Sequence, residues 1–168
     1  MNLLIDRIPS PIGEILLVTD GTAVRALDFA DYEDRMDRLL RLHYGATVCT
    51  PETARPIFRS LIEAYFGGDL EALTKIPVQT NGTAFQRQVW TALRDIPAGK
   101  TEAYGELATR IGRPGASRAV GLANGSNPVA IVVPCHRVIG ANGKLTGYGG
   151  GMDRKRWLLD HETANARL

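Results

Sequence analysis

Tyr104-Gly105-Glu106-Leu107-Ala108-Thr109-Arg110-Ile111-Gly112-Arg113-Pro114-Gly115-Ala116-Ser117-Arg118-Ala119-Val120-Gly121-Leu122-Ala123-Asn124 is the stretch that decides the fold of the second half of this chain. Tyr104–Ile111 reads as a short helix closed by Gly112, Arg113-Pro114-Gly115 as a turn, and Ala116–Asn124 as a second helix. Helix, short glycine-containing turn, helix is the outline of a helix-turn-helix. The second helix lacks the long polar side chains that read base edges in a major groove. Only Arg118, in its first turn, reaches far. Small residues let a backbone approach another surface closely, which suits sugar–phosphate contact in a minor groove. Taken alone, they suit a tight helix–helix contact inside a protein better, because alanine and glycine are common in cores.

Upstream, Thr83 is placed to cap a helix carrying Phe85, Val89, Trp90 and Leu93, closed by Pro97-Ala98-Gly99. Residues 77–82 read as a linker between residues 1–76 and 83–168. In the first part, Ile12–Thr19 and Ala23–Phe29 flank Asp20-Gly21 and predict a hairpin. Glu33–His43 sets Met36, Leu39, Leu40 and His43 on one helical face. Ala54–Phe66 does the same with Ile57, Leu61, Ile62 and Tyr65 before Gly67-Gly68. The expectation is an α/β N-terminal support domain followed by a mainly helical C-terminal domain.

Downstream lies Asn127-Pro128-Val129-Ala130-Ile131-Val132-Val133-Pro134-Cys135-His136-Arg137-Val138. The aliphatic run predicts a short buried strand, which Pro134 ends because it has no N–H to donate. Cys135 then stands at a strand end beside His136 and Arg137, whereas Cys49, in Ala46-Thr47-Val48-Cys49, has the setting of an inert buried thiol. A reactive cysteine needs help to reach the thiolate, which a histidine supplies. Neighbours on an extended chain point to opposite faces, so His136 would act on Cys135 through a water. A third group should orient the histidine; Glu162, after the helical pattern Arg154–His161, is one of several acids available, and a solvated helix end is the plain alternative. Lys144–Gly151 combines Tyr148 with clustered glycines, either a ligand-approaching loop or a flexible one.

The 168 residues carry a net charge of +2, unevenly spread. Residues 1–82 hold 8 Lys and Arg against 12 Asp and Glu, a net −4, and residues 83–168 hold 12 against 6, a net +6. The basic half suits a polyanion. The longest apolar run, Val129–Val133, is far too short to span a membrane, and the first residues do not read as a signal peptide. The expected location is therefore the cytoplasm, where thiols stay reduced. Two cysteines and three scattered histidines give neither a disulfide framework nor metal-ligand spacing, so no metal and no cofactor are expected.

Taken together, Pro134-Cys135-His136-Arg137-Val138, Tyr104-Gly105, Arg118-Ala119-Val120-Gly121, Ala123-Asn124 through Asn127-Pro128, Gly147-Tyr148, Trp157-Leu158-Leu159 and His161-Glu162 resemble the methylated-DNA–protein-cysteine methyltransferases. The resemblance is close over Phe85–Glu162 and loose before it. It implies a ribonuclease-H-like N-terminal domain and a helix-turn-helix C-terminal domain. It further implies irreversible, single-turnover transfer of an alkyl group from a flipped O6-alkylguanine, and from O4-alkylthymine, to the protein's own cysteine. Its partner would be double-stranded DNA, bound through the minor groove, largely independent of sequence and by a monomer.

Residue by residue, the resemblance makes Cys135 the alkyl acceptor, His136 the base acting through water, Glu162 its orienting acid, and Asn127 the tie between the helices and the active segment. Tyr104 would press on the target phosphate and Arg118 would fill the vacated stack, with Ser117, Ala119, Ala123 and Asn124 beside it against DNA. Tyr148, Gly149 and the carbonyls of Cys135 and Val138 would hold the guanine. Some relatives carry serine where Gly149 stands, so only its backbone N–H could serve. A non-catalytic DNA-binding protein and a cysteine hydrolase are the competing classes; the first does not use Cys135, and the second lacks an evident oxyanion hole.

Overall fold

The computed structural model describes residues 2–45, 48–51 and 56–166. The chain forms two compact units, one of Met1–Asn81 with Pro128–Val132, the other of Gly82–Asn127 with Val133–Leu168.

The first unit is built on a four-stranded sheet of β1 (Asn2–Ile8), β2 (Ile15–Thr19), β3 (Val24–Phe29) and β4 (Val48–Pro51), in the order β3-β2-β1-β4. β1, β2 and β3 run antiparallel in turn, with Ile8 opposite Ile15 and Ile15 opposite Phe29. β4 runs parallel to β1, with Leu3 opposite Cys49. The predicted hairpin is present, and the chemistry of its turn is visible. Asp20 Oδ1 accepts the N–H groups of Thr22 and Ala23 at 2.8 and 2.9 Å, and Arg25 Nε donates to Asp20 Oδ2 at 2.7 Å. A short aspartate side chain thus replaces the hydrogen bonds that the turn backbone lacks.

Helices α1 (Glu33–Tyr44) and α2 (Pro56–Phe66) belong to this unit. Leu3, Leu16, Val18, Ala26, Met36 and Leu40 form a core, with Cys49 packed against it. The inward face of α2 is Phe58, Ile62 and Tyr65, whereas Ile57 is exposed. The sequence pattern, which put Ile57 on the buried face, is displaced because Phe58 shares one stripe with Ile62 and Tyr65 at spacings of four and seven. Ala54 and Arg55, the expected first residues of this helix, lie outside the described residues.

Val129–Val133 is not a strand. Residue Leu27 N–H donates to Pro128 O and Ala130 N–H to Leu27 O, both at 3.0 Å, leaving a single bridge from Val129 to β3. Ile131 adopts φ 70°, a left-handed conformation that costs a β-branched residue roughly 1–2 kcal/mol and ends any extended run.

The second unit contains α3 (Ala84–Leu93), β5 (Glu102–Ala103), α4 (Tyr104–Arg110), α5 (Ser117–Gly125), β6 (Val138–Ile139) and α6 (Met152–Asn165). Thr83 caps α3 as its sequence predicts: Thr83 Oγ1 accepts from Gln86 N–H at 3.1 Å while Gln86 Oε1 accepts from Thr83 N–H at 3.0 Å. Trp90, on the buried face of α3, donates its indole N–H to Ala123 O at 2.8 Å. Between α4 and α5 the chain turns at Gly112 and Gly115, with φ 79° and 86°, conformations that any other residue except asparagine adopts only under strain. β5 and β6 pair in parallel, with Glu102 opposite Val138. Among the described residues no helix is long and apolar enough to cross a membrane.

Candidate active site

Cys135 opens a single 3-10 turn, Cys135–Arg137, immediately after Pro134. It is not at the end of a strand, so the alternation of an extended chain does not separate it from His136. All three residues of the turn are buried; Cys135 is 7% exposed and His136 is inaccessible.

Three elements converge on this turn. From α6, the inward face carries Lys155, Leu158 and Glu162, at the three- and four-residue steps of one helical stripe. Glu162 therefore sits inside the unit and not at a solvated helix end. Its Oε2 lies 2.8 Å from His136 Nε2 and accepts Arg137 Nη2 at 2.9 Å, while Oε1 accepts Arg137 Nε at 2.9 Å. Arg137 Nη1 donates onward to Ile96 O at 2.7 Å. A bidentate guanidinium is the strongest partner a buried carboxylate can have.

Burial opposes the charge of Glu162, yet His136 and Arg137 outweigh it and hold the carboxyl well below the usual carboxylate range. Burial pushes His136 the other way, below its ordinary value, and exceeds the attraction of Glu162. The imidazole is thus neutral at neutral pH. With Nε2–H committed to the carboxylate, Nδ1 carries the lone pair, and Nδ1 has no hydrogen-bond partner among the described residues.

The second element is α5, whose C-terminal end holds the backbone of the active segment. Asn127 Nδ2 donates to Val133 O at 2.8 Å, and Asn124 Nδ2 approaches Cys135 O at 3.4 Å. Ser117, Arg118 and Ala119 are exposed on this helix. Ala123 and Asn124 are not beside them: both are buried, Ala123 accepting from Trp90 and Asn124 facing Cys135.

The third element is the loop after β6. Tyr148 is half-buried, with its ring edge-on to His136 at 6.5 Å between centroids, and Gly149 is exposed. Tyr104, at the start of α4, hydrogen-bonds Thr146 through its hydroxyl at 2.9 Å.

One residue of the site escapes a reading by motif. Lys155 is fully buried, and its Nζ donates to Val138 O at 2.7 Å and Thr146 O at 3.0 Å. Burial lowers its pKa, and the negative charge that Cys135 can carry opposes that shift. The signal available in sequence is a lysine in register with Leu158 and Glu162 on the buried stripe of a helix. Cys49 contrasts with Cys135: burial and the nearby Asp37 and Glu33 push its thiol up. Among the described residues, no group of three or more His, Cys, Asp and Glu side chains is arranged to hold a metal ion.

This site can generate a buried, positively flanked thiolate with a neutral histidine as its proton acceptor. Residues 84–164 match the model of the 6-O-methylguanine DNA methyltransferase DNA-binding domain. A methylated-DNA–protein-cysteine methyltransferase of Salmonella typhimurium is 48% identical over 166 residues, 96% of each chain. One from Mycobacterium tuberculosis is 48% identical over 164 residues, 95% of this chain and 92% of its own. The crystal structure of Mycobacterium tuberculosis O6-methylguanine methyltransferase superposes with a TM-score of 0.82 at 44% identity, covering 98% of this chain and 95% of that one. The same bacterium's enzyme in complex with DNA gives 0.82 at 43% identity, covering 99% and 95%. The chain belongs to the methylated-DNA–protein-cysteine methyltransferase family.

Proposed function

We propose that this protein repairs O6-alkylguanine in DNA, and O4-alkylthymine by the same chemistry, by moving the alkyl group onto Cys135. The observation that carries the reading is the buried Glu162–His136 pair next to Cys135, which leaves His136 Nδ1 as a bare base. A water passes the thiol proton of Cys135 to Nδ1, and Glu162 steadies the imidazolium that results. The thiolate attacks the alkyl carbon in line. The S–C bond forms as the C–O6 bond breaks, its electron pair goes to the guanine, and the proton returns to the purine. Lys155 contributes positive charge that favours the thiolate. A thioether has no leaving group as good as a purine anion, so each molecule reacts once.

The target atom is inside a base stack, so the nucleotide must be flipped out. Arg118, exposed in the first turn of α5, is long enough to occupy the emptied position, and Tyr104 crowds the phosphate. Ser117 and Ala119, exposed beside Arg118, lie against the minor-groove backbone. α4, its turn and α5 form the helix-turn-helix, and a monomer binds with little regard to sequence. Tyr148, the Gly149 N–H and the carbonyls of Cys135 and Val138 line the guanine site; Ala123 and Asn124 support the interface from beneath. The antiparallel β1–β3 meander with β4 parallel beside β1 supports a ribonuclease-H-like reading of the first unit.

The test is incubation with duplex DNA carrying a labelled methyl group on guanine O6. Label should appear on the wild-type and Cys49→Ser proteins at one per chain and be absent from Cys135→Ser, which keeps its DNA affinity. Release of label into solution would instead indicate a hydrolase, and stoichiometric transfer to Cys49 would overturn the assignment.

A further inference from the structure

Leu122 is 73% exposed, and among the described residues it is the one large apolar side chain of the second unit that stands so far into solvent. It lies four residues after Arg118 on α5, about 6 Å further along the same face. Gly125 follows it three residues on, and a Cβ built there would meet no atom within 4 Å. A helix with ordinary side chains is about 10–12 Å across and does not fit a minor groove about 6 Å wide. Gly125 narrows the exposed side of α5 here, and Leu122 projects beside it.

The surroundings specify the kind of partner. No aspartate or glutamate occurs from Ile111 to Met152, while Arg113, Arg118 and Lys144 are exposed in that stretch. A stretch of chain free of carboxylates, with a cation one turn before an apolar knob, matches the alternation of phosphate and deoxyribose along a nucleic-acid strand. Apolar side chains of this kind are used as wedges in widened minor grooves.

We propose that Leu122 is an apolar wedge that packs on deoxyribose carbons in the minor groove, holding the groove open while Arg118 enters the stack. The proposal rests on the reading of α5 as the DNA-contacting helix. Leu122 adds to duplex binding a contribution that salt does not screen, because no counterion is released when an isopropyl group is covered.

The test is affinity for an undamaged duplex over a series of salt concentrations, with reaction toward free alkylguanine base measured in parallel. Leu122→Ala should bind about tenfold more weakly at every salt concentration, the loss expected when an isopropyl group is no longer covered. Its log–log salt slope should equal that of the wild type, whereas Arg118→Ala should reduce the slope by about 0.9. Leu122→Met should restore most of the affinity, and both Leu122 variants should react normally with the free base. Affinity of Leu122→Ala within twofold of wild type would overturn the proposal, and so would equal slowing on free base and duplex. A change from dimer to monomer in sedimentation with DNA affinity unchanged would assign the face to a second copy and overturn it as well. Failure of the wild-type protein itself to bind duplex is a separate result, and defeats the DNA-binding reading of α5.

Discussion

Glu162→Gln is the most informative single change, because one neutral atom group replaces the charge that both His136 and Arg137 depend on. Glu162 is inaccessible to solvent and accepts hydrogen bonds from His136 and Arg137 at 2.8, 2.9 and 2.9 Å. Removing one partner of a buried ion pair costs about 3–5 kcal/mol, since the other charge is left uncompensated. Glutamine keeps one acceptor oxygen, which places the loss near the lower end, about 3 kcal/mol. For a chain of this length each kcal/mol lowers the melting temperature by roughly 2–4 °C, giving a fall of about 6–12 °C. The chemical effect is separate. The amide no longer fixes the tautomer of His136, so Nδ1 ceases to be a reliable base and alkyl transfer slows by roughly 10²–10⁴. The assay is single-turnover transfer from both duplex and free alkylguanine base, well below the lowered melting temperature, together with calorimetry. Both substrates should be affected equally. A melting temperature within 2 °C of wild type and a rate within about twofold would refute the reasoning from buried charge.

Lys155→Met should slow transfer to free base and duplex alike and move the pH–rate profile to higher pH, because a cation near Cys135 is lost; DNA affinity should stay unchanged. Acid should destabilise the fold in two stages read from a denaturant series. His136 is held below its ordinary value, so stability begins to fall as pH drops below about 6.5, where only the unfolded chain takes up that proton. Glu162 is held below its ordinary value too, so its contribution is complete above about 4.3 and is lost as pH falls towards its folded value. Each step contributes at most about 1.4 kcal/mol per pH unit; a flat profile between pH ~6.5 and ~4.5 contradicts the first step, and a flat profile below pH ~4 contradicts the second. Tyr104→Phe keeps its ring, a Cβ built at Gly121 lying 3.8 Å from it, but loses the hydrogen bond to Thr146. Duplex repair should slow about threefold with free-base reaction unchanged; equal slowing would show that the hydroxyl serves the Thr146 loop instead.

Much of the second unit is legible in sequence because its signals are local. The Thr83 cap and the two glycines of the turn between α4 and α5 act within a few residues, and the chain folds there as they indicate. The first unit is less legible. β1 hides because Asp6 and Arg7 interrupt its apolar alternation; Asp6 is buried all the same, paired with Arg59 of α2 at 3.2 Å. No local window contains both partners. Val129–Val133 misleads for the opposite reason, since five aliphatic residues favour a strand but the ladder offers one bridge. On α5, the small residues look alike from sequence, yet Ala119 is exposed and Ala123 is buried. Lys155 is invisible to any rule that keeps charge out of helix interiors. What compensates it is two backbone carbonyls, both remote enough that only the fold assembles them.

The membership of Pro128–Val132 in the first unit bears on how the chain acquires its structure. β1, β2 and β3 leave the ribosome early, but the strip that lies along β3 is translated about a hundred residues after it. At roughly 5–20 residues per second, Leu27 waits several seconds for Pro128 and Ala130. Most of the second unit up to Asn127 has been made by then. The first unit is thus complete only when synthesis is within a few residues of the nucleophile. Nascent chains stalled before residue 128 should lack the Leu27 hydrogen bonds, and those stalled after residue 132, once clear of the exit tunnel, should have them. Cys135 follows directly, so the cysteine becomes available only after the last piece of the first unit has been supplied.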